Sequence, residues 1–207
     1  MKKLILLCIT AITLTSCKKT LLIVAGVRQP RIESDKSITR FLEKAGVSSN
    51  DVYHVDSSSS YTFWQDSTIV GRMPDLLIFN GKGELLRRLG KDECTGVYTD
   101  QLAIMDLPGA PVAIINTQSL ASVLENYRRL DGMKTTIQDF GPDSFVACIS
   151  YTDALGSVAR DNIKGWTASL KKNKSADKIK ILYMNMDMHT SWGIKSRKDP
   201  RRLKFRY

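Results

Sequence analysis

The side chains best suited to chemistry are few and widely spaced. The 207 residues contain four cysteines (Cys8, Cys17, Cys94, Cys148) and two histidines (His54, His189). A redox or nucleophilic thiol acts as the thiolate, and so needs a cationic neighbour or a helix N-terminus. Cys94 lies in Lys91-Asp92-Glu93-Cys94-Thr95-Gly96, a polar stretch whose adjacent acids raise a thiol pKa. Cys148 lies in Phe145-Val146-Ala147-Cys148-Ile149, an apolar run that reads as a buried strand, where a free thiol is commonly structural. If the chain does thiol chemistry, Cys94 is the candidate, with Cys148 as its resolving partner. His54 and His189 are far apart along the chain. Asp187 and His189 are two apart and read as a polar strand end, so no metal or cofactor is expected. No GxSxG, HExxH or P-loop pattern occurs. Arg28 and Arg31 bracket a turn between an apolar run and a helix start, a place that could accept an anion; a solvated basic loop is the plainer alternative.

The N-terminus reads as an address. Met1-Lys2-Lys3 precedes an apolar run over residues 4–14, too short to span a bilayer and suited to a secretory h-region. Leu14-Thr15-Ser16-Cys17 follows, a Leu, two small residues and Cys, which resembles a bacterial lipobox. Cleavage before Cys17 would remove residues 1–16 and leave Cys17 to carry a thioether-linked diacylglycerol and an N-acyl chain, enough for stable anchoring where a single chain is not. Residues 17–20 would be a short lipidated tether. Lys18 and Lys19 stand where an inner-membrane retention signal would place Asp. The expected location is therefore the cell envelope, lipid-anchored, at the outer membrane rather than the inner.

The formal charge is +10, from 31 Lys and Arg against 21 Asp and Glu. It is concentrated at the ends. Residues 195–207 hold seven basic residues and one acid, and Lys2 and Lys3 lie in the signal, so the stretch between is nearly neutral. Nucleic acid is not expected as a partner of an exported protein. The basic tail could instead touch an anionic lipid surface, at roughly 1 kcal/mol per basic residue near it. With 43% apolar and 25% charged residues, a disordered or collagen-like chain is excluded.

Hydrophobic periodicity places the elements. Residues 21–27 are continuously apolar and fit a central parallel strand. Ser34 is an N-cap, Ile38, Phe41, Leu42 and Ala45 follow a helical period, and Gly46 stops it. Residues 51–55 form a second strand. Met73-Pro74 then precedes two apolar runs around Asn80-Gly81-Lys82-Gly83, a β-hairpin over residues 75–89, and a helix lies near residues 98–105. In the second half, Leu120, Val123, Leu124, Tyr127 and Leu130 predict one helix. Residues 145–150 and 179–184 predict strands flanking a helix that carries Val158, Ile163, Trp166 and Leu170, which implies a parallel βαβ unit with a right-handed crossover.

β-α-β followed by Pro and a hairpin resembles the thioredoxin fold, with Pro74 where that family has a cis-proline. The run from Phe145 to Ser157 resembles the strand-to-helix segment of membrane-anchored thioredoxin-like reductases, but Ala154 and Ser157 stand at the two CxxC positions. The chain is also similar to a group of uncharacterised lipoproteins of Bacteroidetes, through Gly26-Val27-Arg28-Gln29-Pro30, Glu33-Ser34, Cys94 after the hairpin, and Trp192. The fold expected is α/β and thioredoxin-like: a β-α-β plus β-hairpin lobe over 21–106, a second, partial lobe over 107–194 carrying the second βαβ unit, and the basic tail 195–207. Without CxxC, the function expected is protein binding by an envelope lipoprotein, with no enzyme activity. The alternatives are a redox enzyme using Cys94 and a binder of anionic lipid through the tail.

Overall fold

The computed structural model describes residues 31–47, 50–56, 73–89, 95–113 and 119–193, with only the backbone of 95–99. The apolar run 21–27, Arg28, Cys17, Cys94 and the basic tail lie outside these residues. The described chain runs β1 (Ile32–Glu33), α1 (Asp35–Lys44), β2 (Val52–Val55), β3 (Asp75–Asn80), β4 (Leu85–Leu89), α2 (Thr95–Ile104), α3 (Leu120–Glu125), β5 (Tyr127–Arg129), β6 (Phe145–Tyr151), α4 (Gly156–Lys172), β7 (Ile179–Asn185) and β8 (Met188–His189).

Six strands form one mixed sheet in the order β4-β3-β6-β7-β2-β5. β6, β7 and β2 are parallel; β3 and β4 join antiparallel on one side and β5 on the other. β6-α4-β7 is therefore a βαβ unit, the long crossover that parallel neighbours require. β1 and β8 pair separately and in parallel, Ile32 opposite Met188 and Glu33 opposite His189. Strands from both halves of the chain interleave, since β3 lies directly against β6.

Side chains alternate across the pleat, so each strand feeds two cores. Leu76, Ile78, Ala147, Ile149 and Tyr183 face Ile38, Phe41 and Leu42 of α1 and Ile163, Trp166 and Leu170 of α4. Leu77, Phe79, Val146, Cys148, Leu182 and Met184 face Leu120, Val123 and Leu124 of α3. The result is three layers, helix on sheet on helix. Asn173, just past α4, donates to the carbonyls of Leu102 and Met105 at 2.7 and 3.0 Å. These are carbonyls at the end of α2 that no further helical turn would satisfy.

The helix expected from Leu120 to Leu130 ends at Glu125. Tyr127–Arg129 instead pairs antiparallel with β2, with Val55 opposite Tyr127 and Tyr53 opposite Arg129. The open edge of β2 supplies backbone partners that a helix would not need, and the period of the apolar residues does not reveal that edge. The hairpin at residues 75–89 is present, with a register shift between Ile78 and Phe79.

Candidate functional site

Buried polar groups collect at one end of the sheet. His54, Asp56, Asp75, Thr152, Asp153, Asn185, Asp187 and His189 are all buried. They lie at or just beyond the carboxyl ends of β2, β6, β7 and β8, or at the start of antiparallel β3. Adjacent registers bring the strand ends together, with His54 opposite Asn185, Tyr151 opposite Asn185, and Asp75 opposite Ser150. The carboxyl end of parallel strands is the usual ligand position in open α/β sheets.

Asp187 is the centre of one half of this cluster. Its Oδ1 accepts from Thr152 Oγ1 at 2.5 Å, and its Oδ2 accepts from Asp153 N at 2.7 Å and Asn185 Nδ2 at 2.9 Å. Thr152 Oγ1 in turn accepts from Ala154 N at 3.2 Å. Burial pushes the Asp187 carboxyl up to about 6, while the bonds from Thr152, Asp153 and Asn185 pull the other way. The carboxylate thus clamps the turn between β6 and α4. Ala154 and Ser157 lie on that turn and in the first turn of α4. Pro74, whose bond to Met73 is cis, sits next to it at the start of β3. Asp75 is held by Arg88 Nη2 at 2.6 Å.

The other half holds both described histidines, ring on ring. Their centroids are 4.1 Å apart and their planes 21° from parallel. His54 Nδ1 lies 3.1 Å from the Val55 carbonyl, which can only accept, so Nδ1 carries the proton and Nε2 the lone pair. Ser191 N donates to His189 Nδ1 at 3.3 Å, which puts the proton of neutral His189 on Nε2. That Nε2 lies 3.0 Å from Asp35 Oδ1, off the line of a good hydrogen bond. Burial lowers the pKa of His189, and the neighbouring His54 lowers it further against the pull of Asp35.

The thiols do not join this cluster among the described residues. Cys148 is a free thiol, fully buried in mid-strand, and burial pushes its pKa well up. Its side chain faces the α3 layer. Cys94, Cys17 and Arg28 are outside the described residues. Arg31 is exposed just ahead of β1. The first turn of α1 already holds a reciprocal cap, Ser37 N to Ser34 Oγ at 3.3 Å and Ser34 N to Ser37 Oγ at 2.7 Å, and the Asp35 carboxylate. Among the described residues, no group of three or more His, Cys, Asp or Glu could hold a metal ion. A cavity of about 270 Å³ lies at the far end of the sheet, lined in part by Asn80, Leu107, Asp143 and Lys178. The Asn80 side chain there is occupied by its own turn, accepting from Lys82 N and Glu84 N.

From the sequence, Asp187 and His189 read only as a polar strand end, with nothing to connect them with His54, Thr152 or Asp35. The alternation Asn185, Asp187, His189 is the available signal, since three polar residues at period two following a buried strand must find partners inside. No known protein family, curated protein or solved structure matches the chain.

Proposed function

We propose that this chain is a lipid-anchored protein of the bacterial cell envelope that uses a thioredoxin-like sheet to bind another protein and carries out no thiol chemistry. The observation that carries this reading is the turn after β6. A βαβ unit (β6-α4-β7) lies beside a proline-led hairpin (β3-β4) in one sheet, with the hairpin first in the chain and the βαβ unit second. Where the two meet, a thioredoxin-like enzyme would carry two thiols. Here the positions are Ala154 and Ser157, and the turn is clamped by a buried carboxylate. A carboxylate beside a thiol would hold the thiol protonated, the opposite of what exchange chemistry needs. Val158, exposed in the first turn of α4 next to this turn, gives a partner an apolar contact.

Membrane attachment is supported by where the described chain enters and leaves. β1 and β8 are hydrogen-bonded neighbours. The described chain begins at Arg31, just ahead of β1, and ends at Gly193, soon after β8. A lipid ahead of β1 and a cationic tail after β8 can act on one surface together, and two linked attachments reinforce each other.

Thiol trapping on the full-length protein tests the reading. A maleimide probe should leave Cys148 unlabelled in the native state, with or without prior reductant, and should label it after denaturation. A pair of thiols that becomes available only after reduction, in the folded protein, would count against it.

A further inference from the structure

We infer that the stacked His54–His189 pair is a proton-operated latch holding the N-terminal segment Ile32–Asp35 against the sheet. This inference rests on the two rings and stands whether or not Cys17 carries lipid. The latch joins three elements. His54 belongs to β2 of the main sheet, His189 to β8, and β8 is the strand on which β1 pairs. Asp35, the first residue of α1, lies 3.0 Å from His189 Nε2. Opening the stack would therefore release the β1–β8 ladder, which has only two register pairs, Ile32–Met188 and Glu33–His189.

The direction of the response follows from which interaction is larger. The charged groups placed around the pair among the described residues are Asp35 on α1, Glu33 across the β1–β8 register, Asp187 two residues before His189, and, beside His54, Arg128 across the β2–β5 register with its ion-pair partner Asp56. A proton on His189 would gain from Asp35. That carboxylate is 58% exposed, and an exposed ion pair contributes only about 0–1 kcal/mol. Against it stand the desolvation of an imidazolium on a side chain only 5% exposed and the close approach of a second imidazole. Asp187 adds little attraction, because its oxygens are already occupied by three donors. Opposition wins, in keeping with the lowered pKa of His189. A group whose folded pKa is lowered takes up its proton more readily when released, so the closed latch is favoured above the ordinary histidine value of about 6.5 and weakens as pH falls through it.

Hydrogen exchange of the full-length protein in detergent, read on peptides covering 31–36 and 187–192, tests this. Corrected for the intrinsic pH dependence of exchange, opening of these peptides should rise between pH 7.5 and 5.5 relative to β6. His54→Phe keeps a ring in the stack and removes its proton. It should match the wild type at pH 7.5 and diminish the rise, leaving the part due to the burial of His189. Unchanged protection in the wild type, or an undiminished rise in H54F, overturns the latch. If H54F does not fold, the imidazole of His189 in the folded wild type, followed by NMR, should titrate below the ordinary histidine value; titration at or above that value overturns the latch.

Discussion

Asp187 gathers three donors on two oxygens where water cannot replace any of them. Asp187→Ala would strand the Thr152 hydroxyl and two N–H groups in the interior, so it should lower stability by about 2–3 kcal/mol, measured by urea unfolding. The pH dependence has a definite sign. The folded carboxyl titrates near 6 against an ordinary 3.8, so folding takes up a proton between these values. Stability from this group rises as pH falls below about 6 and is complete below 3.8. The gap between wild type and Asp187→Ala should therefore be wider at pH 5 than at pH 8, by about 1 kcal/mol; an equal gap would mean that the carboxyl is not perturbed. The thiol of Cys148 is argued from the same burial. Cys148→Ser would place a hydroxyl in a dry layer and cost roughly 1–3 kcal/mol, seen as a lower thermal midpoint. Its burial was readable from five consecutive apolar residues. The partners of Asp187 were not, because Thr152 is 35 residues away and a carboxylate's partner depends on which strands become neighbours.

At the scale of elements, local signals and their limits separate cleanly. The Ser34 cap, the apolar face of α4 and the Asn80-Gly81-Lys82-Gly83 turn are local, and each has the form that its residues predict. What β3 would lie against is not local: it pairs with β6, some 70 residues on, and β5 replaces the last part of an expected helix because β2 offers an edge. The turn also carries a constraint that no pattern discloses. A Cβ on Gly81 would lie 2.1 Å from the Pro142 carbonyl oxygen and 2.5 Å from its carbon, and backbone cannot move aside as a side-chain tip can. Gly81→Ala should cost about 1–3 kcal/mol, as overpacking does, and should loosen the contact between the hairpin and residues 141–144. Wild-type stability in a thermal melt would show that this segment shifts freely. The reciprocal cap at Ser119 and Ser122 is a milder case, and Ser119→Ala should cost about 1 kcal/mol.

For the whole molecule, the main lesson is how one sheet unites the two halves that the sequence divides at about residue 106. The six strands and the two cores on either face leave the buried polar cluster at one pole and a mixed cavity at the other. Of the chain's basic residues behind its formal charge of +10, seven lie in residues 195–207, which follow β8 in the sequence. On the proposed reading, Cys17→Ser should move the protein from the membrane to the soluble fraction. Deleting residues 195–207 should leave lipidated protein bound but lower its affinity for anionic over zwitterionic vesicles, an effect that added salt should erase; an unchanged preference would remove the tail from the account. The central claim, a thioredoxin-like sheet without thiol chemistry, is tested most directly by insulin reduction with the full-length protein and excess dithiothreitol. The account predicts no turnover above the dithiothreitol background, for the wild type and for Cys94→Ser alike. Clear turnover by the wild type that is abolished in Cys94→Ser would contradict it.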